Sequence, residues 1–238
     1  MLFCCAPSAL ELSTFHMTPE IAETIPSWNY HAYWDELRRM EVELPQHSKE
    51  FQPLMQFVEK LQLRNLVEVG TREGGSLFML SRILPPGSTI ISVDLPGMAW
   101  GRKDSGARKQ RIAERLRADG FTVHLVERDS SLPETATEVA RLLDGAPIEA
   151  LFLDGDHAFD GVLADFRNYQ PLMKEQAPII FHDIAKAAKL PKVEVHYLWR
   201  LLKTFMPWRE FVAAPENGQG IGIVLNTDLP QGFDLKAR

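Results

Sequence analysis

From Asn65 onward, short apolar or β-branched runs alternate with stretches whose apolar residues recur at helical spacing. The runs at 65–69, 88–93, 122–126, 150–153 and 178–181 predict five strands. The amphipathic stretches at 73–84, 106–119, 132–143, 159–173 and 193–205 predict the helices between and after them. Two last β-rich runs, 210–213 and 221–225, read as a closing hairpin. In 159–173 the residues Phe159, Val162, Phe166, Tyr169 and Met173 share one face, which leaves Asp165, Arg167 and Asn168 outside it. Repeated β-α units imply a parallel sheet covered by helices on both faces, the doubly wound α/β class. Residues 1–62 stand apart from this alternation, as a polar terminus followed by helices near 31–44 and 48–61, and read as a helical arm or lid. The organisation expected is therefore an arm over 1–62, a main domain over 63–228 and a tail over 229–238.

A length of 238 residues suffices for one domain with a full core. The formal charge of −6 argues against nucleic acid as the main partner, because phosphate contacts demand a basic face. No apolar run approaches the roughly 20 residues needed to cross a bilayer, and the first residues lack a secretory pattern. A cytoplasmic protein acting on a small molecule is expected, without nucleic-acid or membrane partners; a homo-oligomer is compatible with the sequence. Cys4 and Cys5 are adjacent and suggest neither a disulfide framework nor a metal site.

The strand at 65–69 ends in Glu68-Val69-Gly70-Thr71-Arg72-Glu73-Gly74-Gly75-Ser76, and Asp94 follows the second strand. A glycine turn between strand and helix presents backbone N–H groups and a positive helix end to a ligand, and the later acid suits ribose hydroxyls. Arg72 stands where a dinucleotide fingerprint needs its second glycine, and Ser76-Leu77 replaces the Lys-Ser/Thr of a P-loop. A carboxylate at Glu68 repels phosphate and attracts an amine. S-adenosylmethionine carries that amine, a carboxylate for the amides of 70–75 and a ribose for Asp94. Glu68, Gly70, Thr71, Gly74, Gly75, Ser76 and Asp94 are the cofactor candidates, and the turn resembles the first motif of class I methyltransferases. A tight turn without a ligand is the plainer alternative.

Strand four ends in Asp154-Gly155-Asp156-His157 and strand five in Phe181-His182-Asp183-Ile184. The carboxyl ends of parallel strands share the edge where ligands bind, so both corners face the cofactor. With Phe159, Gly161-Val162, Asp165, Tyr169 and Pro171-Leu172, these corners resemble metal-dependent O-methyltransferases related to macrocin O-methyltransferase and cephalosporin hydroxylase, over about Asn65 to Asn226. That resemblance implies a seven-stranded Rossmann-like sheet with its last strand antiparallel, and a divalent metal, magnesium foremost, held by Asp154, His182 and Asp183. It also places Asp129 and Ser130 where relatives contact adenine. Magnesium favours one or two carboxylates, while an imidazole suits manganese, iron or zinc better, so the choice of metal stays open.

The reaction expected is methyl transfer from S-adenosylmethionine to a hydroxyl of a sugar or another natural product. Metal and Asp154 lower the hydroxyl's pKa, and His157 takes its proton. Each residue also has a structural reading: Asp156 or Asp129 as a cap and His157 as a turn residue. Three rivals remain: a hydroxylase of the cephalosporin-hydroxylase type on the same fold, a non-catalytic S-adenosylmethionine-binding protein, and a haloacid-dehalogenase-type phosphatase suggested by Asp154-Gly155-Asp156.

Overall fold

The computed structural model describes residues 29–96 and 103–229. Seven strands, β1 Asn65–Val69, β2 Thr89–Asp94, β3 Thr122–Glu127, β4 Ala150–Leu153, β5 Pro178–His182, β6 Trp208–Phe211 and β7 Ile221–Leu225, form one sheet in the order β3-β2-β1-β4-β5-β7-β6. The first five run parallel; β7 is antiparallel to both β5 and β6. Registers of Val69 with Val93 and with Leu153 align the carboxyl ends of β2, β1 and β4. The strand order reverses between β1 and β4, which opens the crevice where doubly wound sheets bind ligands.

Helices α1 Tyr30–Arg39, α2 Ser48–Glu59, α3 Gly75–Ser81 and α4 Ser105–Ala118 cover one face of the sheet, and α5 Pro133–Leu142, α6 Phe159–Tyr169 and α7 Val195–Leu202 cover the other. The side-chain period of two along a strand sorts the core accordingly. Leu66, Phe152 and Ile180 pack with the first group, while Val67, Val69, Leu151, Leu153, Ile179 and Phe181 pack with the second.

Several elements depart from the sequence expectation. Regular helix 73–84 shrinks to α3, because Gly74 sits at φ +89° and sets the helix start one residue later. The helix of 159–173 stops at Tyr169 and a 3₁₀ turn, Gln170–Leu172, follows; Pro171 inside it has no N–H for a continuing α-helix. Asp165, read as an outward residue, is 1% exposed, since α6 packs so closely on the β4 corner that its carboxylate lies behind Gly155.

Residues 30–62 pack onto the sheet. Phe51, Leu54 and Met55 of α2 are fully buried, the Phe51 ring lies 6.4 Å from that of Phe152, and the Glu50 Oε1 accepts a 2.8 Å bond from the Ala213 amide. Burying side chains of this size stabilises by about 1.5 to 3 kcal/mol each before entropy is counted. Residues 1–28, the segment 97–102 with Trp100 and the tail from 230 lie outside the described residues. Among the described residues, no helix is long and apolar enough to cross a membrane.

Candidate active site

The glycine turn is built for close approach. Gly70, at φ +84°, would place a Cβ 2.1 Å from the carbonyl oxygen of Asp154, so only glycine lets the β1 turn lie against the β4 corner. A Cβ on Gly75 would meet the Glu43 carbonyl oxygen at 2.2 Å, where the chain between α1 and α2 crosses the first turn of α3. Glu73 fastens that crossing: its Oε2 accepts from the Glu43 amide at 3.0 Å, and its Oε1 from the Ser105 hydroxyl at 3.0 Å.

Glu68 is fully buried and accepts a hydrogen bond from the Ser76 hydroxyl, while its Oε2 has no partner. Burial pushes its carboxyl up to about 8, against the opposing Ser76 bond and with the help of the Asp154 charge. A buried acid with an open oxygen is suited to a cationic amine, whose arrival would drive off the proton. Thr71 is buried and its hydroxyl accepts from Ser92 at 2.7 Å, which ties the turn to β2.

Asp94 at the end of β2 is already engaged. Its Oδ2 accepts from the Arg72 amide at 3.0 Å and from Lys109 Nζ at 3.2 Å, and its Oδ1 from the Leu95 amide at 3.0 Å. Lys109 is 1% exposed and also stands 3.8 Å from Glu127. The sequence reading missed this lysine, which stands in a strongly charged helix that resembles a solvated face. Asp129 folds into a local turn, accepting from the Ser131 amide at 2.9 Å and hydroxyl at 2.7 Å. The Ser130 hydroxyl donates to Asp165, whose burial still pushes its carboxyl up to about 7.

Strands β4 and β5 bring the second group together. Asp154 Oδ1 lies 3.1 Å from His182 Nδ1 and 3.6 Å from His157 Nε2; Asp183 Oδ1 lies 3.2 Å from His182 Nδ1, and its Oδ2 lies 3.5 Å from His157 Nε2. Asp183 takes φ +58°, a left-handed bend that turns it back toward Asp154 rather than onward along the strand. Asp156 points elsewhere, capping the next turn through a 2.9 Å bond from the Ala158 amide, and Gly161 leaves room for its carboxylate.

Burial opposes charge on Asp154, yet His182 and His157 prevail and hold its carboxyl below the usual range. His182 is likewise opposed by burial, but the two carboxylates hold its pKa well above the ordinary value. The Asp154 hydrogen bond raises His157, with Asp183 adding to it against partial burial.

Ligand atoms of Asp154, His182 and Asp183 all lie within 4.8 Å of one another, so one divalent ion can reach all three. Two carboxylates and one imidazole fit manganese or iron well and magnesium through the oxygens. The sequence reading also missed Gln46, from the segment between α1 and α2. Its Nε2 donates to Asp154 Oδ2 at 2.8 Å. A contact spanning 108 positions leaves no local signal.

Comparison with known proteins agrees with this geometry. Residues 67–184 match the family described as a methyltransferase domain. The uncharacterized protein y4gI of Sinorhizobium fredii is 27% identical over 129 residues, 54% of this chain; the chain spans only 14% of that relative's length. Among solved structures, the O-methyltransferase TomG of Streptomyces achromogenes, in complex with S-adenosylmethionine, aligns with TM-score 0.57 and 17% identity over 83% of this chain and 89% of its own. The Bacillus cereus O-methyltransferase in complex with S-adenosylhomocysteine aligns with TM-score 0.60 and 16% identity over 85% and 94%. Residues 67–184 thus match a methyltransferase domain, and the strand order and the solved structures show the class I methyltransferase, Rossmann-like fold.

Proposed function

We propose that this chain transfers a methyl group from S-adenosylmethionine to a hydroxyl of a small molecule, a sugar or another natural product, assisted by a divalent cation at Asp154, His182 and Asp183. The observation that carries this reading is contact between the two halves. The turn that would receive the donor touches the backbone of the residue that would hold the cation, with no room between them for one methyl group at Gly70. The O-methyltransferase neighbours, solved with S-adenosylmethionine and S-adenosylhomocysteine, support the same chemistry.

When bound, the donor supplies an electrophilic methyl group, and the cation supplies positive charge that makes a hydroxyl more acidic. The chain's own residues do the rest. Glu68 would receive the donor's amine, the amides around Gly70 to Gly75 its carboxylate, and Asp94 its ribose hydroxyls. Asp154, His182 and Asp183 hold the cation. His157, partly exposed and within 3.6 Å of both carboxylates, stands where it can take the hydroxyl's proton. The Asp154 hydrogen bond and the Asp183 charge hold its pKa above the ordinary value, which favours the proton on the ring once it is taken. Most of the remaining acceleration comes from holding both reactants in contact.

Calorimetry with S-adenosylhomocysteine, with and without magnesium or manganese, followed by methyl transfer to a panel of hydroxyl compounds, tests the reading. Binding of the nucleoside and of a divalent ion, with product gaining a methylene equivalent, is expected. Nucleoside binding with no affinity for any divalent ion would remove the cation, and product gaining oxygen would replace the reaction with hydroxylation.

A further inference from the structure

The two oxygens of Asp154 have different surroundings. Oδ1 faces the imidazoles of His182 and His157, at 3.1 and 3.6 Å. Oδ2 faces away from them to the arm, where it accepts from Gln46 Nε2 at 2.8 Å. Gln46 is 2% exposed, and its own Oε1 is buried without a hydrogen-bond partner among the described residues. Amide bond lengths put Oε1 no more than about 2.6 Å from Nε2, so it lies within about 5.4 Å of Asp154 Oδ2. A buried acceptor so close to the cluster is costly unless something donates to it.

Gln46 is held in place by more than this bond. The preceding segment crosses Gly75 and is fastened by Glu73 at Glu43, while Gln219 Nε2 donates to the Pro45 carbonyl at 3.3 Å. α2 follows at Ser48, with Phe51 and Leu54 fully buried. The segment that carries the amide is therefore held by the fold on both sides of Gln46.

Divalent ions differ in what they ask of a carboxylate. Calcium takes six to eight oxygens and accepts both oxygens of one carboxylate, whereas magnesium demands six at near-octahedral angles, takes single oxygens and keeps several waters. From the occupied Oδ2 and the open Oε1 we infer that Gln46 is a specificity-determining residue of the cation site. Its bond competes for one of the Oδ2 lone pairs, which biases Asp154 toward binding an ion through Oδ1 alone and disfavours calcium. Its free Oε1 is an acceptor for water carried by a hydrated ion, which favours magnesium or manganese. This assignment rests on the cation reading proposed above.

The test measures ion preference rather than turnover. Manganese bound to the full chain is followed by its electron paramagnetic resonance signal, and magnesium or calcium chloride is titrated in as competitor. Gln46→Met removes both polar atoms at similar volume; Gln46→Glu keeps the size, cannot donate to Oδ2 and adds an oxygen. In both variants the calcium affinity relative to magnesium is expected to rise by about tenfold, the lower end for residues that orient metal ligands. A ratio within twofold of wild type in either folded variant would overturn the Gln46 assignment and leave the cation reading standing. Wild-type protein that binds no manganese would overturn both.

Discussion

The two halves of the candidate site hold their charges in opposite ways. On the β1 and β2 side, Asp94 is fully engaged by two backbone amides and a buried lysine, so its charge is compensated by the fold. On the β4 and β5 side, the side-chain partners of Asp154 and Asp183 among the described residues are His157, His182 and one neutral amide. The first half is an acid already paired by the fold; the second is a cluster whose two acids and two imidazoles compensate one another. Site-directed changes should accordingly cost chiefly stability on one side and chiefly chemistry on the other.

The largest effect is expected where the halves meet. Gly70→Ala puts a methyl group into the Asp154 backbone and a left-handed φ on alanine, and should cost more than about 4 kcal/mol, the range of severe backbone lesions. A folded Gly70→Ala protein of near wild-type melting temperature would mean that the turn and corner are not in contact.

Next comes Asp94→Ala, which leaves Lys109 buried with only Glu127 at 3.8 Å. Chemical denaturation should show a loss of about 2 to 4 kcal/mol, somewhat less than for a wholly unpaired buried charge. Adding Lys109→Met should restore part of it. Equal losses in the single and double variants would show that the pair is not coupled.

Asp154→Asn takes one of two carboxylates from the buried His182 imidazole and should cost about 1 to 3 kcal/mol, with S-adenosylhomocysteine affinity within about twofold, while methyl transfer falls by about 100-fold or more, the scale of several kcal/mol that metal assistance supplies. Unchanged turnover would dissociate this half from the chemistry.

The smallest effect is a proton. With Glu68 pushed up to about 8, the free protein is mostly protonated there at pH 7, and a cationic amine beside it should release about one proton. Calorimetry of S-adenosylhomocysteine in buffers of different ionisation enthalpy reads that release directly. Linkage fixes the sign for stability. A carboxyl raised from 4.5 to about 8 is uncharged in the folded chain while the unfolded chain has already lost its proton, so Glu68's contribution falls as pH rises from about 4.5 to 8. No proton release at pH 7 would mean that the amine binds elsewhere.

The same contrast governs what the sequence reveals. Strands β1, β2, β4 and β5 are legible because burial on both faces writes them as short apolar runs, Glu68 and Gly70 because one local turn needs them close together, and Asp94 because it ends the next strand. Asp154, His182 and Asp183 come from two strand ends, and their convergence was expected from parallel topology and family resemblance. What stays hidden is chemistry supplied from a distance. Gln46 reaches Asp154 across 108 positions, and Lys109 turns inward from a helix whose arginines and glutamate suggest solvent. Asp165 was assigned to the outer face because helical periodicity records one packed side, whereas α6 also presses on the β4 corner.

The packing of α1 and α2 onto the sheet carries a practical consequence for anyone trimming the chain. A shortened version beginning at Leu63 would strip away Phe51 and Leu54, leaving Phe152 and the neighbouring positions of β5 and β7 wetted on that side. It would also unfasten the first turn of α3 from its strap at Glu43. Truncations that keep this side of the sheet covered must therefore start at or before Asn29, well ahead of the boundary that the family match at residue 67 marks.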